Sequence, residues 1–220
     1  MPVYIFDLGG VLINLNVSRC MKAFEALMGE ANMRAILGMD NNGEGVKAVS
    51  VATKQLMVDF EQGLISTESF IEQVRQYCRP GTTDKDIIDA WMAMLGELPA
   101  DRLQFIDSLR AQGNKTYLLS NGNDLHFDYI NKTYALDTHF DGLFLSQRLH
   151  LSKPDPQIYQ AVQQAINNQL QMNNDQLPIT NIIFIDDLPA NRLAAEQSVH
   201  WQTYGSIKEL VSKPNRDYVK

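Results

Sequence analysis

The chain has 220 residues, 45% of them hydrophobic and 20% charged, with a formal net charge of −7. That length suits one domain, or one domain with a smaller insert, and the composition excludes a disordered or collagen-like chain. The acidic balance argues against binding nucleic acid or an anionic membrane, so an anionic substrate needs a local positive site: a metal, a lysine or backbone amides.

In chain order, the first feature is the apolar run Val3–Phe6, which reads as a buried strand and ends at Asp7. No charged segment leads into an apolar stretch of the targeting type, and no apolar run reaches the ~18 residues of a membrane span. The cytoplasm is the expected location. From 17 to 99 the pattern is helical. One stripe holds Cys20, Phe24, Leu27 and Met28, and another holds Phe70, Ile71, Val74, Tyr77 and Cys78. Gly38, Gly43, Gly45 and Gly63 interrupt them. The two cysteines form no CxxC pair and lie beside no histidine, so they read as free thiols. Leu103, Ile106 and Leu109 form a further helical stripe. Short apolar runs at 116–119 and 143–145 read as strands, the first followed by Ser120 and Asn121. Ile158, Val162 and Ile166 form another stripe, opened by Pro154 and Pro156. The last run, Ile182–Ile185, ends at Asp186 and Asp187.

Strands alternating with helices predict an α/β fold, a parallel sheet covered on both faces, with a helical insert after the first strand. The expected division is a core of 1–16 and 96–220 and a helical cap of 17–95. Three predicted strands end in polar side chains, and in an open parallel sheet ligands bind beyond the carboxyl ends of the strands. Asp7, Asp186 and Asp187 would repel one another without a cation. A hard divalent ion such as Mg²⁺ suits oxygen ligands and phosphate. Ser120 offers a hydroxyl beside backbone amides. Lys153 offers a positive charge, although a lone loop lysine is more often merely solvated.

Phe6-Asp7-Leu8-Gly9-Gly10-Val11-Leu12 resembles the first motif of the haloacid dehalogenase superfamily. Leu118-Leu119-Ser120-Asn121 resembles the second, Lys153-Pro154-Asp155-Pro156 the third, and Ile185-Asp186-Asp187 with Asn191 the fourth. They stand in family order and cover the chain outside the insert. The resemblance implies a Rossmann-like core, a cap over the site, Mg²⁺ as cofactor and a small phosphate ester as substrate. It implies Asp7 as nucleophile and metal ligand, and Gly9 as a carbonyl ligand. Ser120 and Asn121 would hold the phosphate, Lys153 would bridge nucleophile and phosphate, and Asp186 and Asp187 would complete the metal site. Asp187 is the expected direct ligand. Nothing in the sequence bears on oligomeric state.

One position departs from the phosphatase pattern. The acid–base Asp expected two residues after the nucleophile is Gly9, and such a group contributes roughly 10²–10⁴-fold. An activated leaving group, such as an anomeric sugar phosphate, needs less protonation, and some bacterial sugar-phosphate phosphatases of the superfamily, including those acting on glucose 1-phosphate, resemble this chain in having Gly there. His126, six residues after Ser120, is a candidate replacement, with a surface histidine as the plainer reading. A 2-haloacid dehalogenase is an alternative, since halide leaves without a proton. The acidic pair Asp186-Asp187 argues against it, and the insert shows no obvious arginine–aromatic halide pocket beyond Arg19 and Arg34. A phosphate-binding or interaction protein with little or no turnover is the non-enzymatic alternative. Trp91 and Trp201 read as packing residues, and Met21, Met28, Met33 and Met57 as filler on helix faces. Asn167-Asn168 and Asn173-Asn174 read as a polar turn, and 213–220 as a frayed end.

Overall fold

The computed structural model describes residues 2–36, 44–172 and 181–212, with backbone alone over 44–50. The elements run β1 (Val3–Phe6), α1 (Val17–Met28), α2 (Glu30–Ile36), α3 (Glu44–Glu61), α4 (Thr67–Arg75), α5 (Asp84–Met92) and α6 (Ala100–Ala111). They continue with β2 (Lys115–Ser120), α7 (Asp124–Tyr134), β3 (Gly142–Leu145), α8 (Ser146–Leu149) and α9 (Pro156–Met172). The chain then forms β4 (Ile182–Ile185), α10 (Pro189–Val199), β5 (Gln202–Tyr204) and α11 (Ile207–Ser212). Among the described residues, five strands form one parallel sheet in the order β3-β2-β1-β4-β5.

The pleat sends alternate residues of each strand to opposite faces. Val3, Ile5, Tyr117, Leu119, Ile182 and Phe184 pack with Ile158, Tyr159, Val162 and Ile166 of α9 and with Trp201. Phe6, Leu118, Ile183 and Ile185 pack on the other face with Leu103, Ile106 and Leu109 of α6 and with Phe127 and Ile130 of α7. Both faces are therefore dry, which is why the strands read as unbroken apolar runs. The sheet is doubly covered, as the alternation predicts.

The insert has its own apolar interior. Cys20, Phe24, Met28, Met33, Leu56, Phe60, Phe70, Val74, Ile87 and Trp91 are buried together. Phe60 stacks on Phe70 at 4.1 Å between centroids. Met21 and Met57 pack against this cluster. Three of its helices start on side-chain caps: Asn16 Oδ1 accepts from the Arg19 amide, Ser66 Oγ accepts from the Ser69 amide, and Thr83 and Asp86 form a reciprocal capping box. The chain enters and leaves the insert through a two-stranded neck. Asn14 N–H donates to Glu97 O (2.8 Å), Asn16 N–H to Met94 O (2.7 Å) and Gly96 N–H to Asn14 O (2.8 Å). Arg19 donates from its guanidinium to the carbonyls of Ala93 and Leu95 at the same place.

Three sequence expectations need correction. β5 was not anticipated. Asn167 and Asn168 lie inside α9, and α3 runs through Gly45. Gly38, Gly43, Asn173-Asn174 and 213–220 lie outside the described residues.

Candidate active site

In the parallel pairing of β1 with β4, Phe6 stands beside Ile185. Asp7 and Asp186, the next residue on each strand, therefore emerge side by side. The Asp7 amide still donates to Ile185 O (2.8 Å) and the Asp186 amide to Tyr204 O (3.0 Å), so the ladders hold both residues in place. Ser120 ends β2 on the other side of β1. This is the crevice expected where strand order reverses.

Lys153 reaches it from the loop before α9. Its ammonium lies 2.9 Å from Asp7 Oδ1 and 2.7 Å from Asp186 Oδ2, and donates to Leu119 O at 3.0 Å, so its three donors have three acceptors. Burial alone would discharge it, but Asp7 and Asp186 outweigh that cost and hold its pKa above the usual lysine value. The Asn121 side chain clamps the Lys153 backbone from both ends. Its Oδ1 accepts from Lys153 N–H and its Nδ2 donates to Lys153 O, each at 2.8 Å.

Asp186 is fully buried and saturated. Besides Lys153, it accepts from the Leu188 amide (2.8 Å) and from Asn191 Nδ2 (3.0 and 3.1 Å). Asn191 is held in turn by Tyr159 Oη, which donates to its carbonyl. Asp187, by contrast, is exposed. Its carboxylate lies over Gly10, where a Cβ would sit 2.4 Å from Asp187 Oδ2 and where φ is +73°. Only glycine fits there. Oxygens of Asp7, Asp186 and Asp187 all lie within 4.8 Å of one another. Three carboxylates face one ammonium, which leaves a negative excess that a divalent cation matches. The donor set, all hard oxygens, fits magnesium.

The electrostatics agree. Burial, opposed by Lys153 and reinforced by Asp186, pushes Asp7 up to about 6. Burial and then Asp186 also raise Asp187. A nearby cation would relieve both.

A cavity of about 700 Å³ opens over these groups, lined by Asp7, Ser120, Lys153 and Asp187 from the sheet side and by Glu61 and Trp91 from the insert. Ser120 is buried, with its hydroxyl donating to Asn121 O at 3.2 Å. Gly9 lines the cavity, and a Cβ there would lie 2.9 Å from Leu15 Cδ1. His126 lies on the wall, but both ring nitrogens are engaged. Nε2 is 3.1 Å from Trp91 O and Nδ1 is 3.4 Å from Asn123 Nδ2, while the ring stacks on Trp91. The two bonds are satisfied together by the neutral tautomer with its proton on Nε2. Burial lowers the pKa, which favours that form.

The structure thus gathers Asp7, Gly9, Ser120, Asn121, Lys153, Asp186 and Asp187 at one end of the sheet. Sequence reasoning did not find Glu61. It ends α3 before Gln62-Gly63, and a carboxylate at the end of an amphipathic helix gives no local sign of facing a core site.

A family model described as haloacid dehalogenase-like hydrolase matches residues 1–198. A D-ribitol-5-phosphate phosphatase of Bacteroides thetaiotaomicron is 25% identical over 162 residues, 70% of this chain and 72% of that protein. A haloacid dehalogenase family enzyme of the same organism, solved with magnesium and inorganic phosphate, is 28% identical with a TM-score of 0.72, covering 93% of each chain. A HAD-like family hydrolase of Porphyromonas gingivalis is 30% identical with a TM-score of 0.68, covering 93% of this chain and 90% of that one. Among the described residues, no helix is long and apolar enough to cross a membrane.

Proposed function

This chain belongs to the haloacid dehalogenase-like hydrolases, and on that premise we propose that it is a magnesium-dependent phosphatase that transfers the phosphoryl group of a small ester to Asp7 and then to water. The observation that carries this reading is the charge arrangement at the strand ends. Asp7 is held by Lys153 but keeps an oxygen for attack, and Asp187 stands unburied beside it.

Asp7, Asp187 and the Gly9 carbonyl would hold magnesium, which when bound neutralises charge on the carboxylates and on the phosphate. Asp186, whose oxygens are already taken by Lys153, Leu188 and Asn191, fixes the lysine and acts on the metal through water. Lys153 favours the ionised form of Asp7 against burial and aims it, and it offsets charge as the phosphoryl group arrives. Positioning and charge stabilisation of this kind supply most of what phosphoryl transfer requires. Ser120 Oγ and the amides of the loop after β2 cradle the phosphoryl oxygens. Asn121 acts mainly by locking the Lys153 backbone.

We read residues 17–95 as a cap hinged at the neck, covering a core of 1–16 and 96–220. The cap limits the site to small esters, and the relative's ribitol phosphate suggests a phosphorylated sugar or sugar alcohol. A 2-haloacid dehalogenase would need no metal, and Asp187 would then have no task. The guanidinium of Arg19 is also spent on the neck carbonyls.

The test is phosphate release from a panel of sugar and polyol phosphates and p-nitrophenyl phosphate, with Mg²⁺ or with EDTA. Release should need the metal and vanish in Asp7→Asn. Turnover that survives either change would overturn the reading.

A further inference from the structure

Glycine at position 9 offers no proton donor to the leaving group, and Leu15 already fills the corner where a side chain at that position would begin. His126 has both ring nitrogens bonded. Glu61, the last residue of α3, lines the same cavity as Asp7 and Lys153. Its turn is fastened to the core. Ser146 Oγ donates to Glu61 O, Gln62 Nε2 donates to Ser152 Oγ (2.8 Å), and His150 Nδ1 lies 2.8 Å from Gln62 O. Gly63 follows at φ +64°, so close that a Cβ would sit 2.2 Å from Gln147 O. These contacts place the end of a cap helix beside the loop that carries Lys153.

We propose that Glu61, supplied by the insert, is the acid–base residue of the reaction. The inference rests on the phosphatase reading above. As Asp7 attacks, a bond forms between its oxygen and phosphorus and the bond from phosphorus to the ester oxygen breaks. The departing oxygen takes the proton of the Glu61 carboxyl and leaves as an alcohol. The Glu61 carboxylate then takes a proton from water, whose oxygen bonds to phosphorus while the Asp7 oxygen departs, releasing phosphate and restoring both carboxyl groups. Burial raises the Glu61 pKa, opposed by Lys153, which suits a group that must hold a proton before it gives it up. The charged or titratable groups facing the cavity with it are Lys153, Asp7 and Asp187 from the core loops and His126 from α7.

The test compares kcat/KM for a primary alkyl phosphate and for p-nitrophenyl phosphate, whose leaving group needs little protonation. For Glu61→Gln, we expect a loss of roughly 10²–10⁴-fold on the alkyl ester and a loss at least about tenfold smaller on the nitrophenyl ester. Glu61→Asp, which keeps a carboxyl, should recover part of the difference. Equal losses on both esters, or a change in KM alone, would overturn the proposal. Should Glu61→Gln fail to fold, Glu61→Asp decides: its loss must be larger on the alkyl ester. If the wild type and Asp7→Asn both release no phosphate, the phosphatase reading itself fails. If only the leaving-group dependence is missing, this inference alone does.

Discussion

Asp7 and Asp186 show how differently two neighbouring carboxylates are used. Every oxygen of Asp186 has a partner, whereas Asp7 Oδ1 meets only Lys153 and the Leu8 amide (2.7 Å). Burial, opposed by Lys153 and reinforced by Asp186, raises Asp7 from an ordinary 3.8 to about 6. The folded metal-free protein therefore keeps a proton there that the unfolded chain loses. The contribution of this group to stability is largest below about pH 4, falls as pH rises towards about 6, and stays low above it. Magnesium compensates only the ionised carboxylate. Its addition should therefore raise Tm more at about pH 7.5 than at about pH 5, measured by thermal denaturation with and without the metal. An equal rise at both would contradict the assignment of Asp7 to the metal site. These acids were legible in sequence because each closes an apolar run. The Asn121 clamp was not legible, because its partner is far along the chain, and the saturation of Asp186 was not, because it depends on Lys153 and Asn191 meeting in space.

Elements with a strong apolar period were legible as well. β1, β2, β3 and β4 were, and so were the buried stripes of α6 and α9. β5 was not, because its three residues, Gln202, Thr203 and Tyr204, form an edge strand of which only Tyr204 is buried. Asn167 and Asn168 resembled a turn by composition, but Ile166 and Leu170 bury the opposite face and carry α9 through them. The end of α3 meets α8 and the loop after it, and Gly63 tests that junction. Gly63→Ala puts a side chain into left-handed backbone, which costs roughly 1–2 kcal/mol, and presses it on Gln147 O. It should lower the urea midpoint and lower kcat/KM for alkyl phosphates, because the Glu61 turn can no longer seat. An unchanged midpoint and kcat/KM would show that this junction does not order the site.

Across the whole molecule, two dry layers fix the sheet and a third apolar cluster gives the insert its own interior. The chain crosses between them twice, at the neck. With a net charge of −7 the surface repels an anionic ester, and at the strand ends Lys153 and a divalent cation together would offset the three carboxylates. What the sequence could not show at this scale is the contribution of the insert to the chemistry, since Glu61 and Lys153 come together only through the docking of α3 on α8 and its loop. The most direct measurement of the central claim is to mix enzyme, Mg²⁺ and a good ester, quench in acid within the first turnover, and map the peptides by mass. A phosphoryl group should be found on the peptide holding Asp7, and more of it in Glu61→Gln, where hydrolysis of the intermediate slows. Rapid phosphate release with no phosphorylated Asp7 in either protein would contradict the account.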